Sequence, residues 1–512
     1  MSQSTQPRGI LLNSKRKVLV IGLDGFSPEL MLSLTKRGVM RTVGGLLKKG
    51  AWGTLLSSCP PITGPAWVSF ATGKNPGKHG VFDFVKPEKS LSRLRIVSSR
   101  DIVGTTFYEL LERAGKKCVL INLPISHPPR LKEGVVIASL TSPSPESNYP
   151  RWIRSRVPEL KEYRIAPNSS LLLRGKRKEY VRDIRELEAV RFRVAARALK
   201  EVEWDFFFLL FSGTDLVQHV LYDKLLEGSQ DEVVREALSL YSDIDSYINE
   251  LLRMVPKETI TILMSDHGFK AFKGIFYVNE WLRQRDYLKA KVREEEEAPF
   301  TLFPESKKAT RSLPGFAAKL AFTLMKTPLR RLSPVGMRLL GRLGFRISAS
   351  MEVDVRRSRA LMPTTEAMGL YINDDERFED GIVSAEEARS LKEELLESLR
   401  EVKIGGGEPA FKEVLDGLKL YRGRMARMGP DIVFRLGNYG VRKSIYPGTL
   451  WRGTPPSAIE HEEEGIIIAF GEGISAKRIR ASIMDIAPTV LEIMGVTPPP
   501  DLDGRAIPQI VG

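Results

Sequence analysis

The sequence has few cysteines and no long apolar run. Its 512 residues include only two cysteines, Cys59 and Cys118, and two thiols cannot form a disulfide framework. No apolar run approaches the roughly 18 residues of a membrane-spanning helix. The N-terminus also lacks the apolar core that a secretory signal has between its basic start and its cleavage site. These absences predict a cytoplasmic protein with no signal peptide or transmembrane segment.

The chain carries a marked excess of positive charge. Its 78 lysines and arginines outnumber its 63 aspartates and glutamates, which gives a net charge of +15 at pH 7. Such an excess favours anionic substrates, nucleic acid or acidic membrane surfaces as partners. The sequence has no zinc-finger spacing and no RNP-type aromatic motif, so charge alone does not predict a nucleic-acid-binding protein.

Apolar strands alternate with amphipathic helices along most of the chain. Short apolar runs predict strands at 17–24, 53–58, 116–124, 204–215, 258–268, 429–436 and 464–471. Helical periodicity is found at 107–115, 179–202, 233–255 and 385–402. Strands that are apolar along their whole length are typical of a parallel sheet buried on both faces. We therefore predict an α/β fold in which helices sandwich a mostly parallel central sheet.

One stretch interrupts this alternation. Residues 286–350 open with a charge cluster and continue as a strongly basic segment of helical period at 307–346. We predict a basic helical insertion or cap at 286–350, between a first part of the core at 15–285 and a second part at 351–512. Residues 1–14 are predicted to be a flexible tail. The basic segment fits a solvated helical hairpin, a lid over an anionic substrate, or a peripheral contact with an anionic membrane.

Aspartates and histidines recur at the ends of the predicted strands. The residues are Asp24, Asp215, His219, Asp266, His267 and His461. The spacing of Asp215 and His219 places both side chains on one face of a helix. His461 is predicted to lie in an acidic loop just before a strand. In open α/β sheets, ligands bind at the carboxyl ends of the strands. Carboxylates and imidazoles suit Zn²⁺ or Mn²⁺, and two such ions need about six protein ligands.

A threonine follows the predicted strand at 53–58. Thr63 stands after two prolines, and Pro65 suits the first turn of a helix that begins near Thr63. Thr63 therefore fits a helix N-cap. The same position places its hydroxyl beside free backbone N–H groups, which favour phosphate. A hydroxyl coordinated to a metal ion ionises near neutral pH, so Thr63 is also a candidate nucleophile.

Taken together, these segments resemble the alkaline phosphatase superfamily and, within it, the type I phosphodiesterase/nucleotide pyrophosphatase family. The matching segments, in order, are VIGLDGF (20–26), PPITGPAWVSFATGKNPGKHGVFDF (60–84), SGTDLVQH (212–219), MSDHGF (264–269), His461 before EGIIIAFGEGI, and DIAPTVLEIMGV (485–496). The resemblance implies an alkaline phosphatase-like fold and a metal-dependent hydrolase of phosphoric ester bonds. A phosphodiesterase or nucleotide pyrophosphatase is the leading expectation.

The resemblance also implies two divalent metal ions, with Zn²⁺ as the first expectation and Mn²⁺ also compatible. One ion would be held by Asp24, Asp266, His267 and the Thr63 hydroxyl. The other would be held by Asp215, His219 and His461. Thr63 would be the nucleophile: it attacks phosphorus, a covalent phosphothreonine forms, and water then regenerates the enzyme.

The motifs define the substrate contacts less closely. The resemblance calls for an asparagine at position 66, to hold a phosphoryl oxygen, but this sequence has Ala66. We expect backbone N–H groups around Thr63 and Gly64, or a residue that the motifs do not mark, to replace it. Asn122, after the apolar residues of its strand, is a further candidate contact.

Several activities fit the same bimetal site. A phosphonate hydrolase, a phosphomonoesterase and a lipid head-group phosphotransferase remain open, the last because of the basic segment at 307–346. Thr63 argues against a phosphoglycerate mutase, which would use serine, and the segment CPPIT lacks the arginine of a sulfatase. A non-catalytic protein of this fold is disfavoured because every expected ligand position is occupied. The expected partner is a small-molecule phosphoester, nucleotide or lipid-linked, and the sequence indicates no oligomeric state.

Overall fold

The computed structural model describes residues 16–292, 351–365 and 367–511. Within them the helices are α1 (Pro28–Lys36), α2 (Arg41–Lys49), α3 (Thr63–Thr72), α4 (Pro76–His79), α5 (Phe107–Arg113), α6 (Ile153–Arg156), α7 (Ser170–Leu173), α8 (Arg177–Glu201), α9 (Gly213–Glu227), α10 (Glu232–Met254), α11 (Val278–Gln284), α12 (Ala385–Arg400), α13 (Gly417–Leu420), α14 (Ile486–Ile493) and α15 (Pro508–Val511). The strands are β1 (Val18–Leu23), β2 (Ala51–Leu56), β3 (Val85–Pro87), β4 (Leu94–Ile96), β5 (Cys118–Ile121), β6 (Val135–Ile137), β7 (Phe206–Phe211), β8 (Ile260–Met264), β9 (Gly268–Tyr277), β10 (Ala290–Val292), β11 (Met351–Val353), β12 (Ala360–Leu361), β13 (Gly369–Ile372), β14 (Lys403–Ile404), β15 (Glu408–Pro409), β16 (Phe411–Asp416), β17 (Ile432–Leu436), β18 (Tyr439–Arg442), β19 (Trp451–Glu462), β20 (Glu464–Phe470) and β21 (Arg478–Ser482).

Eight strands form the central sheet, in the order β21-β2-β20-β8-β1-β7-β5-β6. Strand β20 runs antiparallel to both of its neighbours, and the other neighbouring pairs are parallel. Strands β1, β5, β7 and β8 are buried at every residue, as expected for a sheet that is covered on both faces. The predicted mostly parallel central sheet is confirmed.

Helices cover both faces of this sheet. Along β1, Leu19 and Ile21 pack into one apolar layer, whereas Val18 and Val20 pack into the opposite layer. This alternation follows from the two-residue period of a strand. The first layer includes apolar residues of α1, α2, α8, α9 and α10, and the second includes residues of α3, α5 and α14. The predicted sandwich of helices around the sheet is therefore confirmed.

Strands between residues 360 and 442 lie outside the central sheet. Strands β12, β13, β17 and β16 form a four-stranded antiparallel sheet, and α12 packs against it. Strands β18, β9 and β19 form a third sheet. Its strand β9 follows β8 of the central sheet closely, because only residues 265–267 separate the two strands. The strand predicted at 429–436 therefore belongs to the antiparallel sheet rather than to the central one.

The predicted insertion lies mostly outside the described residues. Of 286–350 the structure describes 286–292, and the predicted tail at 1–14 also lies outside. Strands β10 and β11 flank the segment and pair antiparallel, with Val292 opposite Met351. The chain thus leaves the described core at β10 and re-enters it at the neighbouring strand β11. We keep the division into 15–285, 286–350 and 351–512 as a proposal. In the described part of the chain, no helix has both the length and the apolar character needed to cross a membrane.

Candidate active site

The central strands bring three aspartates to one edge of the sheet. Strands β8, β1 and β7 are parallel neighbours, so their carboxyl ends lie together. Asp24 follows β1, Asp266 lies two residues beyond β8, and Asp215 lies in the first turn of α9, just after β7. All three side chains are buried. The structure thus gathers three residues that the sequence placed at separate strand ends.

Gly25 allows this close approach. Its φ is +61°, and a Cβ there would lie 2.5 Å from Phe269 Cε2 and 2.9 Å from Asp215 Oδ1. Its N–H donates to Asp266 Oδ1 at 3.1 Å. Both the left-handed backbone and the lack of space require glycine after Asp24.

Helix α9 and strand β19 add two histidines. His219 lies one turn after Asp215 on α9, and its Nε2 is 3.5 Å from Asp215 Oδ2. His461 lies on β19, opposite Phe269 of β9, so the predicted loop is wrong. Strand β19 is an edge strand of its sheet, and an edge strand tolerates the prolines that obscured it in the sequence. Pairing with β9 brings His461 to the site, where its ring stacks on His267 with 3.7 Å between ring centroids.

Two backbone carbonyl groups orient the imidazole rings. His267 Nδ1 lies 3.0 Å from Gly268 O, and His461 Nδ1 lies 3.0 Å from Pro61 O. A carbonyl oxygen only accepts, so each Nδ1–H donates, and in the neutral ring Nε2 then carries the lone pair. His461 Nε2 faces His219 Nε2 at 3.0 Å. The lone pairs therefore point into the site, as in metal-binding histidines whose other nitrogen is held by a carbonyl.

Thr63 begins helix α3 at the same place. Its Oγ1 lies 3.0 Å from His267 Nε2. The N-cap residue is Ile62, and no side chain caps the helix, so the interpretation of Thr63 as an N-cap is wrong. The first turn is closed by the Ala66 N–H, which donates to Ile62 O. The N–H groups of Thr63 and Gly64 have no partner within the helix, and they leave an anion-favouring N-terminus beside the hydroxyl.

The donor set fits divalent cations. Asp24 Oδ1, Asp215 Oδ1 and Asp266 Oδ2 are buried, and none has a hydrogen-bond partner among the described residues. Ligand atoms lie within 4.8 Å of one another in two groups. The first group is Asp24, Asp266 and His267, and the second is Asp215, His267 and His461. Carboxylate oxygens and imidazole nitrogens are ligands for Zn²⁺ and Mn²⁺. His267 is near enough to belong to either group, whereas the resemblance assigns it to the first.

Electrostatics favours cations at the same place. Burial, followed by the nearby Asp266 and Asp215 carboxylates, raises the pKa of Asp24 well above its ordinary value. Burial is also the largest cause that raises the pKa of Asp266, to about 7. Burial opposes ionisation of Asp215 too, but His219 and His461 outweigh it and lower the pKa of Asp215 to about 2. A divalent cation would favour the ionised form of all three carboxyl groups.

Gly64 and Asn122 are the two predicted substrate contacts, and both are buried. Gly64 is buried, and a Cβ there would meet Phe84 at 3.2 Å and Ile125 at 3.3 Å. Asn122 is buried with φ +62°, and its Nδ2 donates to Leu210 O at 3.1 Å.

Ala66 does not face the site. It is fully buried and packs with Trp67 in the apolar layer of α3 and the central sheet. The helix turns this position towards the core, so the group that would hold a phosphoryl oxygen has to come from elsewhere in the chain.

Residues of the antiparallel sheet reach the edge of the site. A narrow cleft beside His461 is lined by Met368, Lys412 and Phe434. Lys412 is the extra residue of a β-bulge in β16, a feature that redirects side chains near many active sites. No sequence motif marks these residues, because their strands are short and pair with partners that are distant in the chain.

Comparisons with known proteins agree with this arrangement. The family model described as Type I phosphodiesterase / nucleotide pyrophosphatase matches residues 18–327. A comparison with curated proteins found no match.

The chain is also similar in structure to solved proteins. Phosphonoacetate hydrolase from Sinorhizobium meliloti 1021 matches with a TM-score of 0.55 and 15% identity, covering 93% of this chain and 94% of that chain. Alkaline phosphatase PafA matches with a TM-score of 0.53 and 14% identity, covering 97% of this chain and 99% of that chain. Murine ectonucleotide pyrophosphatase/phosphodiesterase 5 matches with a TM-score of 0.50 and 13% identity, covering 95% and 96%. At these identities the likeness shows the fold.

Proposed function

Since the chain belongs to the type I phosphodiesterase/nucleotide pyrophosphatase family of the alkaline phosphatase superfamily, it is a phosphoester hydrolase. On this premise we propose that it cleaves phosphodiester or pyrophosphate bonds through a covalent intermediate on Thr63. The observation that carries the proposal is the position of the Thr63 hydroxyl. It lies 3.0 Å from His267 Nε2 at a helix N-terminus, and the same Nε2 lies 3.4–3.9 Å from oxygens of the three buried aspartates.

We propose two divalent ions at this site, with Zn²⁺ first and Mn²⁺ as an alternative. Asp24, Asp266, His267 and Thr63 would hold one ion. The ligands of the other would be Asp215, His219 and His461. Bound divalent ions would supply positive charge that lowers the pKa of the Thr63 hydroxyl and stabilises the phosphoryl oxygens.

The residues of the chain supply the remaining parts of the mechanism. Thr63 Oγ1 gives its proton to solvent water and attacks phosphorus, so a bond forms from Oγ1 to phosphorus as the bond to the leaving oxygen breaks, and the leaving oxygen takes up a proton from water. The other substituent of a diester stays on phosphorus. The N–H groups of Thr63 and Gly64 donate to a non-bridging oxygen during this displacement. Water then attacks phosphorus, and Thr63 Oγ1 leaves and regains a proton.

The substrate class is part of the proposal. The leading substrates are small phosphodiesters, nucleotide or lipid-linked. Murine ectonucleotide pyrophosphatase/phosphodiesterase 5 has been solved in complex with AMP, and the Sinorhizobium enzyme with phosphonoacetate. A phosphomonoester, a phosphonate or a lipid head-group acceptor would use the same site. A membrane contact through 307–346 lies outside the described residues and stays a prediction.

The first experiment compares substrates on metal-stripped protein with Zn²⁺ or Mn²⁺ added back. We expect metal-restored hydrolysis that favours bis-p-nitrophenyl phosphate over p-nitrophenyl phosphate. Preference for the monoester would identify a phosphomonoesterase, and phosphate release from phosphonoacetate alone would identify a phosphonate hydrolase. Failure to bind two ions would contradict the proposed site.

A second experiment tests the covalent intermediate. Acid quenching during turnover of bis-p-nitrophenyl phosphate, followed by peptide mass spectrometry, should find p-nitrophenyl phosphate attached to Thr63. Thr72 ends the same helix, and its hydroxyl donates to Val68 O, so it serves as the internal control. An adduct on another residue, or turnover by a Thr63→Ala variant, would refute the nucleophile assignment.

A further inference from the structure

Helix α9 begins without a cap from its own residues. Ser212 occupies the N-cap position, yet its side chain makes no capping hydrogen bond. Its Oγ accepts instead from Arg191 Nη1 at 2.9 Å. The N–H of Gly213, the first residue of α9, donates to Glu188 Oε1 at 2.7 Å. A carboxylate of α8 therefore caps the helix that carries Asp215.

Glu188 is held by a buried ion pair. Arg191 Nη1 lies 2.5 Å from Glu188 Oε1, and the side chains are 0% and 1% exposed, respectively. Arg191 Nη2 also donates to Ile165 O at 3.2 Å. Burying two charges costs desolvation free energy, and an apolar pair of similar size is often as stable. The stability of the fold alone therefore does not explain the pair.

Gly213 is matched to this contact. A Cβ at Gly213 would lie 2.8 Å from Ile184 Cγ2 and 2.9 Å from Glu188 Cγ. Only a residue without a side chain lets α8 approach the start of α9 this closely.

The external cap has a consequence for Asp215. An aspartate in the first turn of a helix ordinarily serves the N-terminal N–H groups and the positive end of the helix dipole. Glu188 fills that role for Gly213, and Asp215 Oδ1 instead lies 3.4 Å from His461 Nε2. The Asp215 carboxylate is thus directed at His219 and His461.

Further contacts fix α9 against the turn that contains Asp24. Thr214 Oγ1 donates to Asp24 O at 2.6 Å, and Gln218 Nε2 donates to Gly25 O at 2.8 Å. These bonds set the rotation of α9, and the cap by Glu188 sets where the helix starts.

We propose that Glu188, held by Arg191, is a positioning residue that keeps the Asp215 carboxylate free and in place for a divalent ion. This inference rests on the proposed bimetal function. Groups that support metal ligands in this way typically change metal affinity by about 10- to 100-fold when they are replaced.

The test separates positioning from stability. The double variant Glu188→Leu/Arg191→Met replaces the ion pair by apolar side chains. We expect its metal-free form to fold but to unfold at a lower temperature, because the Gly213 N–H loses its buried acceptor. We expect calorimetric titration with Zn²⁺ to show one site weakened by roughly 10- to 100-fold and the other unchanged. Unchanged affinity at both sites would overturn the proposal.

A more exposed ion pair, which joins α8 to α10, is the control. Arg185 Nε lies 2.5 Å from Asp243 Oδ2 of α10, on another side of α8. The variant Arg185→Met/Asp243→Leu should leave both Zn²⁺ affinities unaltered. An equal loss in the control would attribute the effect to α8 as a whole and overturn the specific role of Glu188.

A milder variant covers the case in which the double variant does not fold. Gly213→Ala keeps both charges and displaces the start of α9 from Glu188, so one Zn²⁺ affinity should fall by about tenfold or more. Gly45→Ala is its control, because a Cβ at Gly45 of α2 meets nothing within 4 Å. Wild-type affinity in Gly213→Ala would also overturn the proposal. If the unaltered protein binds no Zn²⁺ and cleaves no phosphoester, the proposed function fails; if it does both and these variants match it, only this inference fails.

Discussion

The Thr63 hydroxyl oxygen lies 3.0 Å from the Nε2 atom of His267, although 204 positions separate the two residues in the chain. The contact joins the start of α3 to the loop after β8 and so joins the candidate nucleophile to the candidate ligands. Because His267 Nδ1–H is held by Gly268 O, the nitrogen that faces Thr63 is the one with the lone pair. The site is therefore oriented by backbone groups before any ligand binds.

Replacing Thr63 should separate chemistry from metal binding. Thr63→Ala is expected to lower kcat for bis-p-nitrophenyl phosphate by roughly 10³-fold or more, since the attacking oxygen is lost. Thr63→Ser should keep measurable turnover, and Thr72→Ala should resemble the unaltered protein. Zinc stoichiometry, measured on each variant, should remain at two ions. A Thr63→Ala enzyme with normal kcat would show that another group attacks phosphorus.

Replacing ligands should remove ions one at a time. His461→Ala and Asp215→Asn are each expected to reduce Zn²⁺ stoichiometry from two to one and to abolish hydrolysis. The Zn²⁺-induced rise in unfolding temperature should shrink as well, because ligand binding stabilises only the folded state. His127→Ala is the control, since the described structure places His127 outside both candidate groups. Two tightly bound ions in His461→Ala would remove His461 from the ligand set.

Gly25 and Gly38 offer a matched pair for the crowded turn after β1. Both have positive φ, at +61° and +72°, but a Cβ at Gly38 meets only Arg41 Nε, at 3.8 Å. Gly38→Ala should therefore cost about 1–2 kcal/mol of unfolding free energy through backbone strain alone. Gly25→Ala should cost more and should also weaken Zn²⁺ binding, because its Cβ would press on Asp215 and Phe269. Equal effects of both variants would show that crowding at Gly25 is relieved without disturbing the site.

His79 should make stability depend on pH. Burial lowers the pKa of His79 to about 3, and its ring bonds Ser69 Oγ and the Val81 N–H. Below the unfolded pKa near 6.5, the unfolded chain gains a proton that the folded chain refuses until about pH 3. Stability from neutral His79 is thus present above pH 6.5 and is lost as the pH falls towards 3.

The measurement is urea unfolding in EDTA at pH 6.5 and pH 5.0, for the unaltered protein and for His79→Gln. Over this interval the unaltered protein should lose up to about 2 kcal/mol more than the variant. The chelator keeps metal binding out of the comparison. Parallel pH dependences would mean that His79 takes up a proton in the folded state as readily as in the unfolded state.

The sequence predicts the central sheet well, for physical reasons. Strands β1, β7 and β8 are apolar at nearly every position, which only a sheet covered on both faces accommodates. Long amphipathic helices are also placed closely: 179–202 and 233–255 correspond to Arg177–Glu201 and Glu232–Met254. The positions of Asp24, Asp215 and Asp266 follow from this sheet, because the carboxyl ends of neighbouring parallel strands meet at one edge.

Other parts depend on tertiary pairing that no local pattern reveals. The strand that carries His461 contains prolines and charges, so its sequence resembles a loop until its pairing with β9 is known. The antiparallel sheet has strands as short as Ala360–Leu361, which carry little periodicity.

Glu188 and Arg191 illustrate a signal that was present in the sequence. They follow Ile184 at steps of four and three residues, on the stripe that Ala195 continues, and all four are buried. Charged side chains on the apolar stripe of a helix indicate a buried polar role rather than solvent contact.

The β10–β11 ribbon makes the geometry of the core independent of the length of the segment between its two strands. Val292 pairs with Met351, so the segment between them begins and ends at neighbouring positions of the core. Closing a loop costs only about 0.6 kcal/mol more for each doubling of its length. Changes in the length of that segment should therefore leave the strands that carry the aspartates in register.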